Sequence, residues 1–188
     1  AAELSGLGFS FTIHGPAIFF EPERWRIDKK IEKALFVSCI SHYCRSQAMV
    51  FAPPECWGRM HIVHCGVDPS RYYMVSHQGR GRRLHNVGRM AAAKGLAILF
   101  ESLIALRAEH PDLVLTVVGD GPERAATEEQ VARLGLKSNV RFLGYRSQDE
   151  VRDELRDTDV FVLPSFAEGV PVVLMEALAS GVPVVATR

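Results

Sequence analysis

Two glutamates with seven residues between them (Glu168 and Glu176), two cations (Arg89 and Lys94) and one histidine (His14) are the side chains here whose type and setting suit them to chemistry. Glu176 lies inside VVLMEALA, where a charge costs free energy unless something pairs with it. A carboxylate accepts two hydrogen bonds at once and so grips vicinal hydroxyls. Two carboxylates near one helix start could therefore hold two polyol groups of one ligand. The plainer alternative makes Glu168 a favourable charge at a helix N-terminus and Glu176 an exposed helical residue. Arg89 and Lys94 stand beside the start of a helical segment, whose free N–H groups and dipole already favour an anion. Arginine forks two oxygens and lysine brings a mobile point charge, a pair suited to a diphosphate, although isolated cations more often form a solvated face. His14 follows an apolar run and precedes Gly15-Pro16, a turn that would expose its ring.

The elements that must position these residues are legible in the apolar pattern. Runs of strand length at 84–87, 113–118, 140–143, 160–163 and 182–186 alternate with helical stretches from Lys94 to His110, Pro122 to Leu134, Ser147 to Asp157 and Pro171 to Ala179. In the first stretch Leu96, Leu99, Phe100, Leu103, Ile104 and Leu106 fall at i, i+3, i+4 spacing. Strands apolar on both faces and alternating with helices predict a doubly wound α/β fold with a parallel sheet. Ligands of such sheets bind beyond the carboxyl ends of the strands. Gly88-Arg89, Gly119-Asp120-Gly121 and Pro164 to Gly169 follow strands of this half, and His14 follows a strand at 9–13; the shared rim predicts one site. The first part is less regular, with strands at 9–13, 35–40 and 60–64 and a helix at 42–51 capped by Ser41. The polar, basic stretch SRYYMVSHQGRGRR, with Gly79 and Gly81, separates the two pieces. Residues 1–72 therefore read as the end of one domain, 73–83 as a linker and 84–188 as the beginning of a second.

Composition removes several classes. Lysine plus arginine and aspartate plus glutamate both total 22 in 188 residues, so there is no basic excess for nucleic acid. The charge-free stretch from Leu4 to Phe20 is broken by Ser5, Ser10, Thr12 and His14, which rules out a membrane span there, and no basic-plus-apolar secretion signal precedes it. Four cysteines are too few for a disulfide scaffold, and a reducing cytoplasm is expected. Cys39, His42, Cys44, Cys56, His61, His64 and Cys65 are dense but lack Cys-x2-Cys spacing, so buried thiols and no metal are expected. Gly119-x-Gly121 lacks the third glycine of a dinucleotide fingerprint, with Arg124 in its place, and no acidic residue ends the next strand. Asp157-Thr158-Asp159 precedes a strand and reads as a cap and turn. Phe19, Phe20 and Trp25 read as core or rim, with a membrane-facing role left open. Opening on Ala-Ala-Glu and stopping at Arg188 after an apolar run, the chain reads as a piece of something larger.

HNVGRMAAAKGL, LVLTVVGDGPER, NVRFLGY and DVFVLPSFAEGVPVVLMEALASGVPVVAT, in that order and spacing, resemble glycosyltransferase family 4. FTIHGPAIFF, CISHYCRSQ and HIVHCGVDPSRY resemble the end of that family's N-terminal domain. The likeness is greatest to bacterial enzymes of exopolysaccharide and colanic-acid type. It implies a GT-B fold of two Rossmann-like doubly wound domains, both incomplete here, the second binding the donor nucleotide sugar. It also implies hexosyl transfer, with retention of configuration, from a nucleotide-diphosphate sugar to a saccharide or lipid-linked acceptor in polysaccharide or glycolipid biosynthesis. No metal or other cofactor and no nucleic acid are implied, and the place is the cytoplasm or, peripherally, the inner face of the membrane. By the same resemblance Arg89 and Lys94, with Gly88 and Gly119 beside them, hold the diphosphate and stabilise the leaving nucleotide. Glu168 binds donor-sugar hydroxyls with backbone N–H groups near Gly169 and Val170, Glu176 binds the ribose, and His14 faces the donor sugar. Backbone near Phe142 and Leu143 lies by the base. The family's glycine-rich acceptor-side loop and its last strand and helices have no counterpart in these residues. A nucleotide-sugar-binding or epimerase-type protein of the same fold, without acceptor transfer, is the alternative.

Overall fold

The computed structural model of the chain describes residues 6–15, 17–74 and 81–187. Pro16, expected in the turn after His14, and residues 75–80 of the expected linker lie outside them. By their contacts the described residues form two units. One runs to Gly66 and includes Glu168–Pro171; the other comprises Val67–Ala167 and Val172 onward.

The first unit is built on a three-stranded parallel sheet in the order β1 (Phe11–Ile13), β2 (Val37–Cys39) and β3 (Met60–Ile62). Ile13, Val37, Cys39 and Met60 are buried in it. Three short helices, α1 (Ala17–Phe20), α2 (Pro22–Trp25) and α3 (Ile27–Lys33), lie between β1 and β2 where the sequence shows no clear periodicity. They are held by anchors rather than by length: Ile27 and Ile31, one turn apart, are buried, and Phe19 stacks on Phe51 at 6.1 Å. Phe20 and Trp25 remain exposed. Helix α4 (His42–Val50) begins where expected, the Ser41 hydroxyl accepting from the Cys44 N–H at 3.1 Å.

In the second unit β4 (Arg83–Val87), β5 (Val114–Val118), β6 (Val140–Gly144), β7 (Val160–Leu163) and β8 (Val184–Ala186) form an all-parallel sheet in the order β6-β5-β4-β7-β8. Helices α5 (Leu96–Glu109) and α6 (Arg124–Arg133) cover one face, where Leu99, Phe100, Leu103 and Val131 pack with Leu84, Leu115 and Val117. Helices α7 (Gln148–Leu155) and α8 (Val172–Ala179) cover the other, where Val151, Leu155 and Ala177 pack with Val118, Phe161 and Leu163. Leu115 and Val117 share a face while Val118 turns to the opposite one, as the two-residue period of a strand requires. This is the doubly wound α/β arrangement expected, and the strand order reverses between β4 and β7. Helix α7 starts on a reciprocal cap in which Ser147 N–H donates to the Glu150 carboxylate at 2.7 Å. One irregularity marks the sheet. Val117 is paired with Phe142 and Val118 with Gly144, so Leu143 is an extra residue on β6, a β-bulge, followed by Gly144 at φ +70°.

Candidate functional site

In the second unit the carboxyl ends of β4, β5 and β6 open onto a cavity of about 400 Å³, walled by Gly88, Arg89, Gly119, Asp120, Tyr145 and Arg146 together with Val87 and Val118. The turns after β4 and β5 are drawn together by backbone: Gly88 N–H donates to Val118 O at 3.0 Å and Met90 N–H to Asp120 O at 2.9 Å. Gly119, at φ +130°, presses on the Gly88 carbonyl so closely that no Cβ fits between them. Gly88 and Gly119 thus bring bare backbone into the cavity lining beside Val87 and Val118, and the exposed Arg89 stands on its wall. Asp120 accepts from Gly121 N–H at 2.7 Å and pairs with Arg124 at 2.9 Å, and these two contacts hold its carboxyl below the ordinary aspartate range. Lys94, half-buried on a single 3-10 turn (Ala92–Lys94), brings its Cδ and Cε to 3.9 Å from where a Cβ on Gly88 would stand. Gly95, at φ +64°, lies flat against the Pro164 backbone, and Phe166 N–H donates to Ala93 O at 2.9 Å. The loops after β4 and β7, flanking the point where strand order reverses, are therefore joined.

Glu176 is 6% exposed, which excludes the reading of it as an exposed helical residue. Its Oε1 accepts from the Tyr72 hydroxyl at 3.0 Å and from Gln148 Nε2 at 2.9 Å. Burial, and after it the carboxylate it donates to, raises the Tyr72 phenol above its ordinary pKa. The sequence reading identified neither Tyr72 nor Gln148. The signal was indirect: a glutamate in an apolar run demands polar partners, but nothing in one sequence says which distant residues supply them. Tyr145 and Arg146, the loop residues that follow β6, stand on the cavity wall and were missed as well, whereas Phe142 and Leu143 lie within the strand.

In the first unit His14 is exposed just after β1, with its Nδ1 3.9 Å from Cys65 Sγ. Glu168–Pro171 belong to this unit by their contacts. A Cβ on Gly169 would press on His14 O and stand 3.0 Å from Gly15 Cα, and Val170 packs against the core around Ile13 and Ile40. His14, half-buried Glu168, Gly169 and Val170 are thus gathered in one unit. Gly88, Arg89, Lys94 and Gly119 are gathered in the other, which also holds Glu176. The thiols are mostly core: Cys39, Cys44 and Cys56 are buried, and Cys44 Sγ donates to Ile13 O at 3.4 Å. Among the described residues no three of His, Cys, Asp or Glu converge as metal ligands.

Residues 76–188 match the family described as Glycosyl transferases group 1. The chain belongs to that family. It is 28% identical to the amylovoran biosynthesis glycosyltransferase AmsK of Erwinia amylovora over 138 residues, 69% of this chain and 34% of AmsK. It is 32% identical to the mannosylfructose-phosphate synthase of Agrobacterium fabrum over 146 residues, 68% of this chain and 32% of that protein. The chain therefore spans about a third of the length of the curated relatives it matches. Among solved structures, Anabaena HepE in complex with UDP-glucose superposes with a TM-score of 0.79 at 22% identity, over 98% of this chain and 54% of that one. At that identity the likeness speaks for the fold, which is GT-B. No described helix is long and apolar enough to cross a membrane.

Proposed function

We propose that this chain is part of a cytoplasmic glycosyltransferase that moves a hexosyl group, with retention, from a nucleotide-diphosphate sugar to a saccharide or lipid-linked acceptor in polysaccharide or glycolipid biosynthesis. The observation that carries the reading is the glycine-lined cavity at the carboxyl ends of β4 to β6, with Arg89 on its wall and Lys94 packed beside Gly88. Glycines that let a ligand approach the backbone closely, with a guanidinium beside them, suit a diphosphate, and the two cations would carry the negative charge that builds on the leaving nucleotide, with no metal called for. Family membership adds the chemistry. AmsK, by its name, serves amylovoran biosynthesis, and HepE was solved with UDP-glucose, which makes uridine nucleotides the first donors to try. In this reading Glu176 takes the ribose hydroxyls, Glu168 and the Gly169–Val170 backbone take the donor sugar, and His14 faces that sugar. Backbone near Phe142 and Leu143 lies by the base, and Leu143 has no register partner on β5. Peripheral association with the inner face of the membrane fits a lipid-linked acceptor.

The test uses the full-length protein with UDP-, GDP- and ADP-sugars, with and without a panel of saccharide and lipid-linked acceptors. Release of nucleoside diphosphate that depends on acceptor, with the product's anomeric proton showing retained configuration, is the expected result. Binding of the nucleotide sugar without acceptor-dependent release would instead support a binding or epimerase-type protein.

A further inference from the structure

Three segments far apart in the chain converge on the Glu176 carboxylate. Tyr72 follows the 3-10 turn Pro69–Arg71, Gln148 opens α7, and Glu176 lies on α8. Gln148 Nε2 donates to Glu176 Oε1 at 2.9 Å and to the Tyr72 oxygen at 3.3 Å. With that oxygen accepting, the phenolic proton is directed to Glu176, 3.0 Å away, and the three groups form a ring with a fixed donor order. Among the described residues both donors fall on Oε1, and no cation pairs with the carboxylate. The segment carrying Tyr72 is itself fastened to α7. Arg71 pairs with Asp149 at 3.0 Å, and the Arg156 guanidinium lies 4.2 Å from the centre of the Tyr73 ring.

Neutral donors on one oxygen do what a guanidinium would not. An arginine fork would occupy both oxygens and spend the charge internally, whereas a hydroxyl and an amide fix the group and leave its charge for a ligand. We propose that Tyr72 and Gln148 are positioning residues that lock Oε1 of Glu176 and so present Oε2 to the two vicinal hydroxyls of the nucleotide ribose. This rests on the ribose reading of Glu176 given above.

The test is calorimetric titration of the full-length protein with UDP, GDP and ADP, each beside its 2′,3′-dideoxy analogue, read as the ratio of dideoxy to ordinary Kd. Wild type is expected to favour the ordinary nucleotide about tenfold or more. Tyr72→Phe keeps the buried ring and removes only the hydroxyl, and it should shrink that ratio about fivefold while leaving the dideoxy analogue's affinity unchanged. Gln148→Met should act in the same direction and decides the matter if Tyr72→Phe does not fold. Glu176→Gln tests the underlying reading and should bring the ratio towards one. A wild-type ratio kept by both Tyr72→Phe and Gln148→Met, while Glu176→Gln lowers it, overturns the positioning role and leaves the ribose reading standing. Equal weakening of both nucleotides, with the ratio preserved, also overturns it, as that is what loss of packing does. A wild-type ratio near one, or no binding by any of the diphosphates, overturns both.

Discussion

At the amino edge of the five-stranded sheet, Asp159 is buried and saturated: two N–H groups of the Arg83 guanidinium reach Oδ1 at 2.8 and 3.1 Å, and the Arg82 and Arg83 backbone N–H groups donate to Oδ2 at 2.8 and 3.0 Å. On α8, the helix that starts beyond the carboxyl ends of the strands, Glu176 is equally buried, yet it has one hydroxyl and one amide on a single oxygen. Asp159 comes from a polar turn and Glu176 from an apolar run, yet both are buried and both carry a desolvation cost. The first recovers it through a closed network and becomes a fixture of the fold. The second is left with unspent acceptor capacity, the condition a binding residue needs. Burial alone therefore does not separate structural from functional acids; the sign and number of their protein partners do.

The largest expected effect tests the saturated edge. Asp159→Ala should cost about 3 kcal/mol of stability in urea unfolding at pH 7, chiefly because it strands two backbone N–H groups; the half-exposed Arg83 can turn to water. A cost below about 1 kcal/mol would put the two acids on a par. Burial pushes the Asp159 carboxyl up, but the Arg83 guanidinium and the backbone donors outweigh it and leave the pKa lowered. Its contribution is therefore present above the unfolded aspartate value and lost as pH falls through the folded one.

A second acid-sensitive group sits between the two edges. His85 on β4 is 2% exposed, its Nε2 has no partner among the described residues, and burial lowers its pKa to about 4. The unfolded chain takes up this proton near pH 6.5 and the folded one resists it, so about 3 kcal/mol should drain away between pH 6.5 and 4. His85→Leu should flatten that part of the stability profile, and an unchanged slope would assign the acid loss to other groups. Next in size, Arg89→Ala should weaken nucleoside diphosphate binding by about 2 kcal/mol, roughly thirtyfold, without affecting the bare nucleoside or, since Arg89 is exposed, the melting temperature. Equal loss for nucleoside and diphosphate would locate the damage in folding. The smallest effect carries the most telling sign. Glu176→Gln removes a buried charge that has no cation beside it among the described residues, and should raise stability by about 0.5–1 kcal/mol. Destabilisation by more than that would make Glu176 an anchor like Asp159.

The second unit was legible because its strands and helices each announce their period. Val160–Leu163 stands where the apolar run places it, Ser147 caps α7 and Pro111 follows the end of α5. The first unit was legible in its strands but not between β1 and β2, where helices of four to seven residues depend on single buried anchors such as Ile27. Cavity-lining residues carried by strand ends, such as Gly88, Arg89 and Gly119, could be placed because topology fixes where a parallel strand stops. Tyr72 and Gln148 could not, because a hydrogen-bond partner 104 or 28 residues from Glu176 leaves no local pattern. The grouping of Glu168–Pro171 with His14 is likewise a tertiary fact, visible only in the contacts of Gly169 and Val170.

The extra residue on β6 sets a parity. Side chains along a strand alternate, so each residue's face is fixed by whether it stands an odd or even number of places from the last paired position. By inserting Leu143, β6 changes that count at Gly144, its last residue, and Tyr145 and Arg146, in the loop that follows, wall the cavity. Deleting one residue here would not trim a loop; it would take out the bulge and leave the pairs Val117–Phe142 and Val118–Gly144 in regular register.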